Sequence, residues 1–295
     1  MSRPMMKLSI VIINYRSLEL TRACLDSIRE HGPGVPFEVI VVDNDSQDGS
    51  YEGLCASHGS WARIVESGEN GGFSKGNNVG AALATGEYLL FFNADTLLKP
   101  AVLGEMIGFM DDHPEYGAIT CQSVNGAGEY LNNGHAFPSW KSIAAEVLIR
   151  PLVPAGAKAR LRRSHASESL GLMIDKDWIS GSALLMPADL FREIGGWDEA
   201  YFMYMEDVTL CQEVARAGRK RGIYNKLGFV HYHGDGSGSA RVIFEASRSE
   251  VLYARKYLPG QVGVIKRLTI ERARQRCRAL SSEERRSVIS RLEAL

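Results

Sequence analysis

The first 124 residues alternate between short, continuously apolar runs and longer stretches with one apolar stripe. Residues 8–13 (LSIVII), 37–42 (FEVIVV), 62–65, 88–92 (YLLFF) and 116–121 form the first set. Runs this short and this rich in β-branched residues predict strands covered on both faces. Between them, Ser17 is placed to cap a helix whose Leu20, Cys24 and Ile28 share a stripe. Further helices are expected over 74–84 and from Pro100 to about residue 113, the proline suiting a first helical turn. Strands alternating with helices predict a parallel sheet with helices on both faces.

Beyond Ser123 that rhythm stops. Residues 125–140 read as a loop, and 150–163 (RPLVPAGAKARLRR) mix Pro and Gly with five basic residues. Order resumes at 177–186, with helices expected at 187–194 and around 206–217 and a strand at 228–233 that runs into GDGSGS. Residues 242–295 read as helical, with a break at Pro259–Gly260. The organisation expected is a first half, 1–123, a second half of the same domain, 124–240, and a helical extension, 241–295.

Charge adds one feature to this pattern. The whole chain carries a formal net charge of −1, which gives no reason to expect a nucleic-acid partner. From Arg241 to the end, however, 13 Lys/Arg face 6 Asp/Glu, leaving 21 basic and 29 acidic residues before it. An acidic body suits cations and sugars, and a basic tail suits an anionic surface. Five scattered cysteines without a C-x-x-C pair read as reduced thiols of a cytoplasmic protein. No apolar run approaches the roughly 20 residues that span a bilayer, so a soluble chain is expected.

In an open α/β sheet, ligands bind beyond the carboxyl ends of the strands. Here those ends carry Asn14-Tyr15-Arg16, Asp43-Asn44-Asp45, Glu69-Asn70-Gly71-Gly72-Phe73 and Asn93-Ala94-Asp95. An aromatic ring, two groups of acceptors and a Gly-rich turn thus meet on one rim. No G-x-G-x-x-G follows the first strand, and GGFSKGNN lacks the Gly-Lys-Ser/Thr of a P-loop. If phosphates bind, a divalent cation on Asp95 is the natural partner, since hard cations take carboxylate oxygens and bridge to phosphate.

The ordered set SIVIINYRS, VIVVDNDSQDGS, NGGFSKGNNVGAALATGEYLLFFNADT, GGWDEAYFMYMEDVTLCQEVARAG and HYHGDGSGS resembles family 2 glycosyltransferases. Within them it is most similar to the bacterial rhamnosyltransferase branch, and the resemblance covers residues 7–240. It implies an α/β GT-A fold: a Rossmann-like, mostly parallel central sheet with helices on both faces, followed here by the helical C-terminal extension.

The resemblance also implies roles. A pyrimidine nucleotide-sugar donor would lie between the first four loops, with Tyr15 against the base and Asp43 accepting from the base N3–H. Asn70, Gly71 and Gly72 would flank the base and ribose, and Lys75 would approach the diphosphate or stand solvated. Asn93-Ala94-Asp95 occupies the place of the Asp-x-Asp metal motif with its first acid replaced, leaving Asp95 as the carboxylate on Mn²⁺ or Mg²⁺. One of His231 and His233 would complete the coordination. In the second half, Asp207 matches the catalytic base, with Glu206 as its neighbour or a ligand to the acceptor. Trp178, Gly181, Trp197 and Asp198 match segments lining the acceptor cleft, where the bland reading of Trp197 is a core ring.

The activity implied is inverting transfer of a sugar, L-rhamnose from dTDP-rhamnose or a sugar from a UDP donor, to a glycan or lipid-linked acceptor in cell-surface polysaccharide synthesis. The rivals are a non-catalytic nucleotide-sugar-binding relative and a nucleotidyltransferase, the latter poorly matched by NYRSLEL. The tail, with Leu268, Val288, Ile289 and Leu292 on one face, is expected to pack on the body or a second copy, or to dock on anionic lipid at the inner face of the cell membrane.

Overall fold

The structure, a computed structural model, describes residues 6–149, 153, 171–232 and 238–295. Described residues 6–136, 171–200 and 206–232 form one unit, and 137–149, 201–205 and 238–295 another. The second half and the extension expected from sequence are therefore divided differently, because residues 137–149 pack with the C-terminal helices.

The first unit is built on a sheet in the order β3-β2-β1-β4-β10-β6-β11-β5, with β8 on β11. Its strands are β1 (Leu8–Asn14), β2 (Phe37–Asp43), β3 (Arg63–Glu66), β4 (Tyr88–Phe92), β5 (Thr96–Leu98), β6 (Tyr116–Val124), β8 (Met173–Asp175), β10 (Ala183–Pro187) and β11 (Lys220–His231). β7 (Gly134–His135) and β9 (Trp178–Ile179) form a separate antiparallel pair. The apolar runs explain the parallel half, β3-β2-β1-β4: Ile10, Val11, Ile12, Ile40 and Val41 are buried on either side of the sheet.

The helices of this unit are α1 (Leu18–His31), α2 (Ser50–His58), α3 (Gly72–Leu83), α4 (Val102–Asp112), α6 (Ala188–Glu193) and α7 (Glu206–Arg216). α1 buries Thr21, Cys24, Leu25 and Ile28, while Leu20, expected on that stripe, is exposed. Ser17 precedes α1 without a side-chain cap and donates instead to the Tyr15 carbonyl.

The other half of the sheet departs from the parallel expectation. β10 runs antiparallel between β4 and β6, pairing Ala183 with Phe92 and Leu185 with Ile119. β11 begins at Lys220, eight residues before the strand expected from its apolar end. Its polar, bulged middle (Asn225, Lys226) hides it from periodicity, although it pairs with β6 along nearly its whole length. β5, with three residues, is too short to read from sequence, yet it pairs antiparallel with the end of β11.

The second unit contains α5 (Trp140–Leu148), α8 (Ala240–Tyr257), α9 (Val262–Arg276) and α10 (Ser282–Glu293), with a short 3₁₀ turn at Pro259–Gln261 where the helical break was expected. Val288 and Leu292 are buried against a cluster with Phe244, Ile270 and Cys277, so this unit uses the tail's apolar stripe for its own packing. Arg272 joins three of its helices through Glu146 (2.8 Å) and Glu250 (2.5 Å). Among the described residues no helix is long and apolar enough to cross a membrane.

The approach to β4 admits no side chain at Gly86. A Cβ there would stand 2.5 Å from the Ser9 nitrogen and 2.7 Å from the Leu8 carbonyl carbon, both backbone atoms of β1. We expect Gly86→Ala to destabilise the protein by about 1–3 kcal/mol, the range for overpacking, in urea unfolding. An unchanged midpoint would mean that β1 and β4 are not held this closely.

Candidate active site

The carboxyl ends of β1, β2 and β4 form one rim, and the rim is tied together by its own polar side chains. The register of β1 and β2 sets Asn14 beside Asp43. Asn14 Nδ2 donates to Asp43 Oδ2 (2.6 Å), and its Oδ1 accepts from Thr21 Oγ1 (2.7 Å). Asp43 also accepts from the Ser46 backbone N–H (2.9 Å) and hydroxyl (2.7 Å), and it is only 2% exposed. The sequence expectation put this carboxylate on a nucleotide base. Its partners in the structure are donors of the protein, and they lock the loops after β1 and β2 to each other. Arg16, Asp45 and Gln47 follow these strands with positive φ of 53°, 60° and 52°, a strained backbone held by that lock.

Tyr15 is half-buried, with the Arg16 guanidinium 5.3 Å from its ring centre. Asn70 Oδ1 accepts from Asn44 Nδ2 (3.1 Å) and from the Gly72 N–H (3.2 Å), and this shapes the Asn70-Gly71-Gly72 turn into α3. Gly72 needs the left-handed region, at φ 82°, and a Cβ on Gly71 would strike the Lys75 side chain. Lys75 is paired with Glu69 at the surface, where burial is slight and the carboxylate raises its pKa. The structure gives Lys75 an acidic partner already, which competes with any diphosphate.

Asn93, Ala94 and Asp95 fill the short turn between β4 and β5. Because β5 pairs with the end of β11, Thr96 lies opposite His231, and the Tyr232 N–H donates to the Asp95 carbonyl (2.8 Å). Asp95 Oδ1 and His231 Nε2 stand 3.1 Å apart, with Asn93 Nδ2 3.5 Å from the same ring nitrogen. Ala94 is buried. His233 lies outside the described residues. Among the described residues no group of three or more His, Cys, Asp or Glu side chains is arranged to hold a metal ion. An oxygen and a nitrogen donor side by side fit a cation that takes its remaining ligands from water and diphosphate, the usual habit of Mg²⁺ and Mn²⁺.

Asp207 sits in the first turn of α7. Its Oδ2 accepts from the Gly181 N–H (3.2 Å) and its Oδ1 from the Val208 N–H (2.8 Å). Burial pushes its pKa up to about 6, against the pull of those two donors. Glu206 is raised well above the carboxylate range, first by burial and then by the charge of Asp207. Its Oε2 is sealed from solvent and has no hydrogen-bond partner among the described residues. Two like carboxylates in one half-buried turn cannot both ionise cheaply, so the pair retains a proton to higher pH than either would alone.

The two acidic sites are neighbours through the sheet. Gly181 holds Asp207, the next residue's carbonyl, on Ser182, accepts from the Asn93 N–H (2.9 Å), and Asn93 stands against His231, which faces Asp95. The segment that holds Asp207, just before β10, and the turn that carries Asp95, just after β4, thus lie at adjacent strand ends on one rim.

Trp197, expected at the acceptor cleft, is a core ring: it is 1% exposed, edge-on to Phe73 (5.2 Å) and Phe91 (5.0 Å). It acts from behind, since its ring comes within 3.3 Å of the place a Cβ on Gly181 would take. Asp198 Oδ1 accepts from the Ala200 N–H (3.0 Å) in a turn. Trp178 stacks on His135 (5.2 Å) and donates through Nε1 to the Ala136 carbonyl (3.0 Å).

Two contributors were not visible in the sequence. Asn78 grips the loop before Asp198, accepting from the Trp197 N–H (3.0 Å) and donating to its carbonyl (2.9 Å). An asparagine on a helix carries no signal for so distant a partner. Tyr204 and Met205, directly before Glu206, take φ of 65° and 70°, each at a cost of about 1–3 kcal/mol.

The chain is similar to several known sugar transferases. The chain is 25% identical over 196 residues to N-acetylglucosaminyl-diphospho-decaprenol L-rhamnosyltransferase of Mycobacterium tuberculosis, covering 62% of this chain and 62% of that relative. It is 30% identical over 128 residues to the poly(ribitol-phosphate) beta-N-acetylglucosaminyltransferase TarS of Staphylococcus aureus, covering 42% of this chain and 22% of that one. The match therefore spans less than two thirds of either relative's length. Among solved structures, the mannosyltransferase PcManGT from Pyrobaculum calidifontis, in complex with GDP-Man and Mn²⁺, superposes with a TM-score of 0.57 at 17% identity over 98% of this chain and 79% of that one. The fold is that of the GT-A glycosyltransferases. The pattern of glycosyl transferase family 2 matches residues 9–168, more than half of the chain, and the protein belongs to that family of glycosyltransferases.

Proposed function

We propose that the protein transfers L-rhamnose from a thymidine diphosphate donor, with inversion, to a hydroxyl of a phosphate-bearing saccharide acceptor in cell-surface glycan assembly. The observation that carries the reading is the hold of Gly181, just before β10, on the Asp207 carboxylate, on the rim that presents Asn93 and Asp95. The mycobacterial relative supports rhamnose, and both relatives are named for acceptors that contain phosphate. A second reading, a UDP-sugar donor, is favoured by the staphylococcal relative, which transfers N-acetylglucosamine.

The base would lie on Tyr15, with Asn70, Gly71 and Gly72 along the ribose and Asp43 fixing the loops beneath them. Asp95 and His231 would hold a Mn²⁺ or Mg²⁺, whose chemistry when bound is to neutralise charge on the diphosphate. Asp207 takes the proton of the acceptor hydroxyl as its oxygen forms a bond to the anomeric carbon. The bond from that carbon to the diphosphate oxygen breaks on the opposite face, and the nucleoside diphosphate leaves with the electron pair. Burial beside Glu206 makes Asp207 a stronger base than an ordinary aspartate, which suits proton removal near neutral pH. The reaction is placed in the cytoplasm, where such donors are made.

Asp207→Asn is expected to lower turnover by about 10² or more while nucleotide-sugar binding by calorimetry stays near wild type. Turnover close to wild type would remove Asp207 as the base. Only the ionised carboxylate accepts a proton, so kcat/KM should fall about tenfold per unit below pH 6, from the value near 6 on Asp207. A profile flat down to pH 5 would contradict the assignment. Asp95→Ala and His231→Ala should each weaken donor binding measured with Mn²⁺ present, and affinities equal to wild type would take the cation away from that pair.

A further inference from the structure

One asparagine holds the loop Gly195-Gly196-Trp197. Gly195 and Gly196 take φ of 85° and 72°, the left-handed region that favours glycine, and a Cβ on Gly196 would stand 2.9 Å from Asn78 Oδ1. The turn thus brings the Trp197 backbone against Asn78, whose amide pairs with it as a neighbouring strand would. Oδ1 accepts from the Trp197 N–H (3.0 Å), while Nδ2 donates to the Trp197 carbonyl (2.9 Å) and to Glu199 Oε1 (2.9 Å).

The buried Trp197 Nε1 has no hydrogen-bond partner among the described residues. An unpaired buried N–H costs stability, so this ring contributes its shape and not a bond. Its far end closes on Gly181. A Cβ built there would meet Trp197 Cη2 at 3.3 Å, Asp207 Cβ at 3.5 Å and Phe73 Cε1 at 3.6 Å. Of the two N–H groups that donate to the Asp207 carboxylate, Val208's belongs to α7 itself. The Gly181 N–H therefore ties Asp207 to the segment before β10. At 3.2 Å this bond is at the long end of the N–H···O range, so moving Gly181 by about half an ångström would forfeit it.

We propose that Asn78 is a positioning residue for the transfer: through the Trp197 ring it holds Gly181, and through Gly181 it keeps the Asp207 carboxylate aimed at the acceptor hydroxyl. α3 then carries the donor-side turn at its start and the hold on the base further along. The catalytic purpose rests on Asp207 being the base, whereas the hold itself is measurable without turnover.

The full chain is compared as wild type, Asn78→Ala, Gly181→Ala, Asp207→Asn and Asn78→Ala/Asp207→Asn. The first three are titrated by carbon NMR of the aspartate carboxyls, the Asp207 signal being the one that Asp207→Asn removes. The Gly181 donor favours the ionised form, so its loss should raise the Asp207 midpoint by about one pH unit in Asn78→Ala. Glu206 and Cys211, the titratable groups whose charges are coupled to Asp207, are retained in both variants. Gly181→Ala pushes on the same contact from the other side and should act likewise, so it carries both readings if Asn78→Ala does not fold.

In both variants kcat should fall at least about tenfold, the scale of a small misplacement, with KM for the nucleotide-sugar and affinity for dTDP and UDP unchanged. In the Asp207→Asn background Asn78→Ala should lower kcat no further, because both act through one carboxylate. An unmoved midpoint, a loss that adds to that of Asp207→Asn, or nucleotide binding that weakens in step with kcat would overturn the proposal. Wild-type turnover in Asp207→Asn with the midpoint moved as expected would leave the hold standing and count against the base reading alone.

Discussion

The antiparallel pairing of β10 with β4 is the constraint on which the site depends. Its register sets Ala183 against Phe92, so the residues just before β10 run beside the turn just after β4. One of them, Gly181, holds the carboxylate of Asp207; the next, Ser182, holds the backbone of Asn93. A slip of one residue would turn every side chain of the strand to the other face and separate the two acids. Packing guards the register: Phe91 and Trp197 meet edge-on at 5.0 Å, and the Trp197 ring leaves no slack at Gly181.

The same geometry gives the two acids different chemistry. Asp95 lies beside an imidazole nitrogen in the turn between β4 and β5, an arrangement suited to sharing a cation with a diphosphate. Asp207 is half-buried next to a second carboxylate, an arrangement that favours accepting a proton.

The parallel half of the fold was legible because apolar runs such as 8–13 and 88–92 are covered on both faces and need no partner to be recognised. The mixed half was not. β5 has only three residues, and the polar bulge of β11 at Asn225 and Lys226 masks a twelve-residue strand. Those two strands place His231 against Asp95, so the pair could be named from family resemblance but its geometry could not be read from spacing. Asp43 and Trp197 show a different limit. Their residue types suit ligand contact, but in the fold Asn14 and Ser46 surround the first and Phe73 and Phe91 the second.

Whether one rim serves both halves of the reaction is tested most directly by a crystal of the protein grown with Mn²⁺ and a nucleoside diphosphate. Anomalous scattering at the manganese edge should place the cation in contact with Asp95 and His231, with the diphosphate opening toward the carboxylate of Asp207. A cation bound elsewhere, or a diphosphate facing away from Asp207, would contradict it.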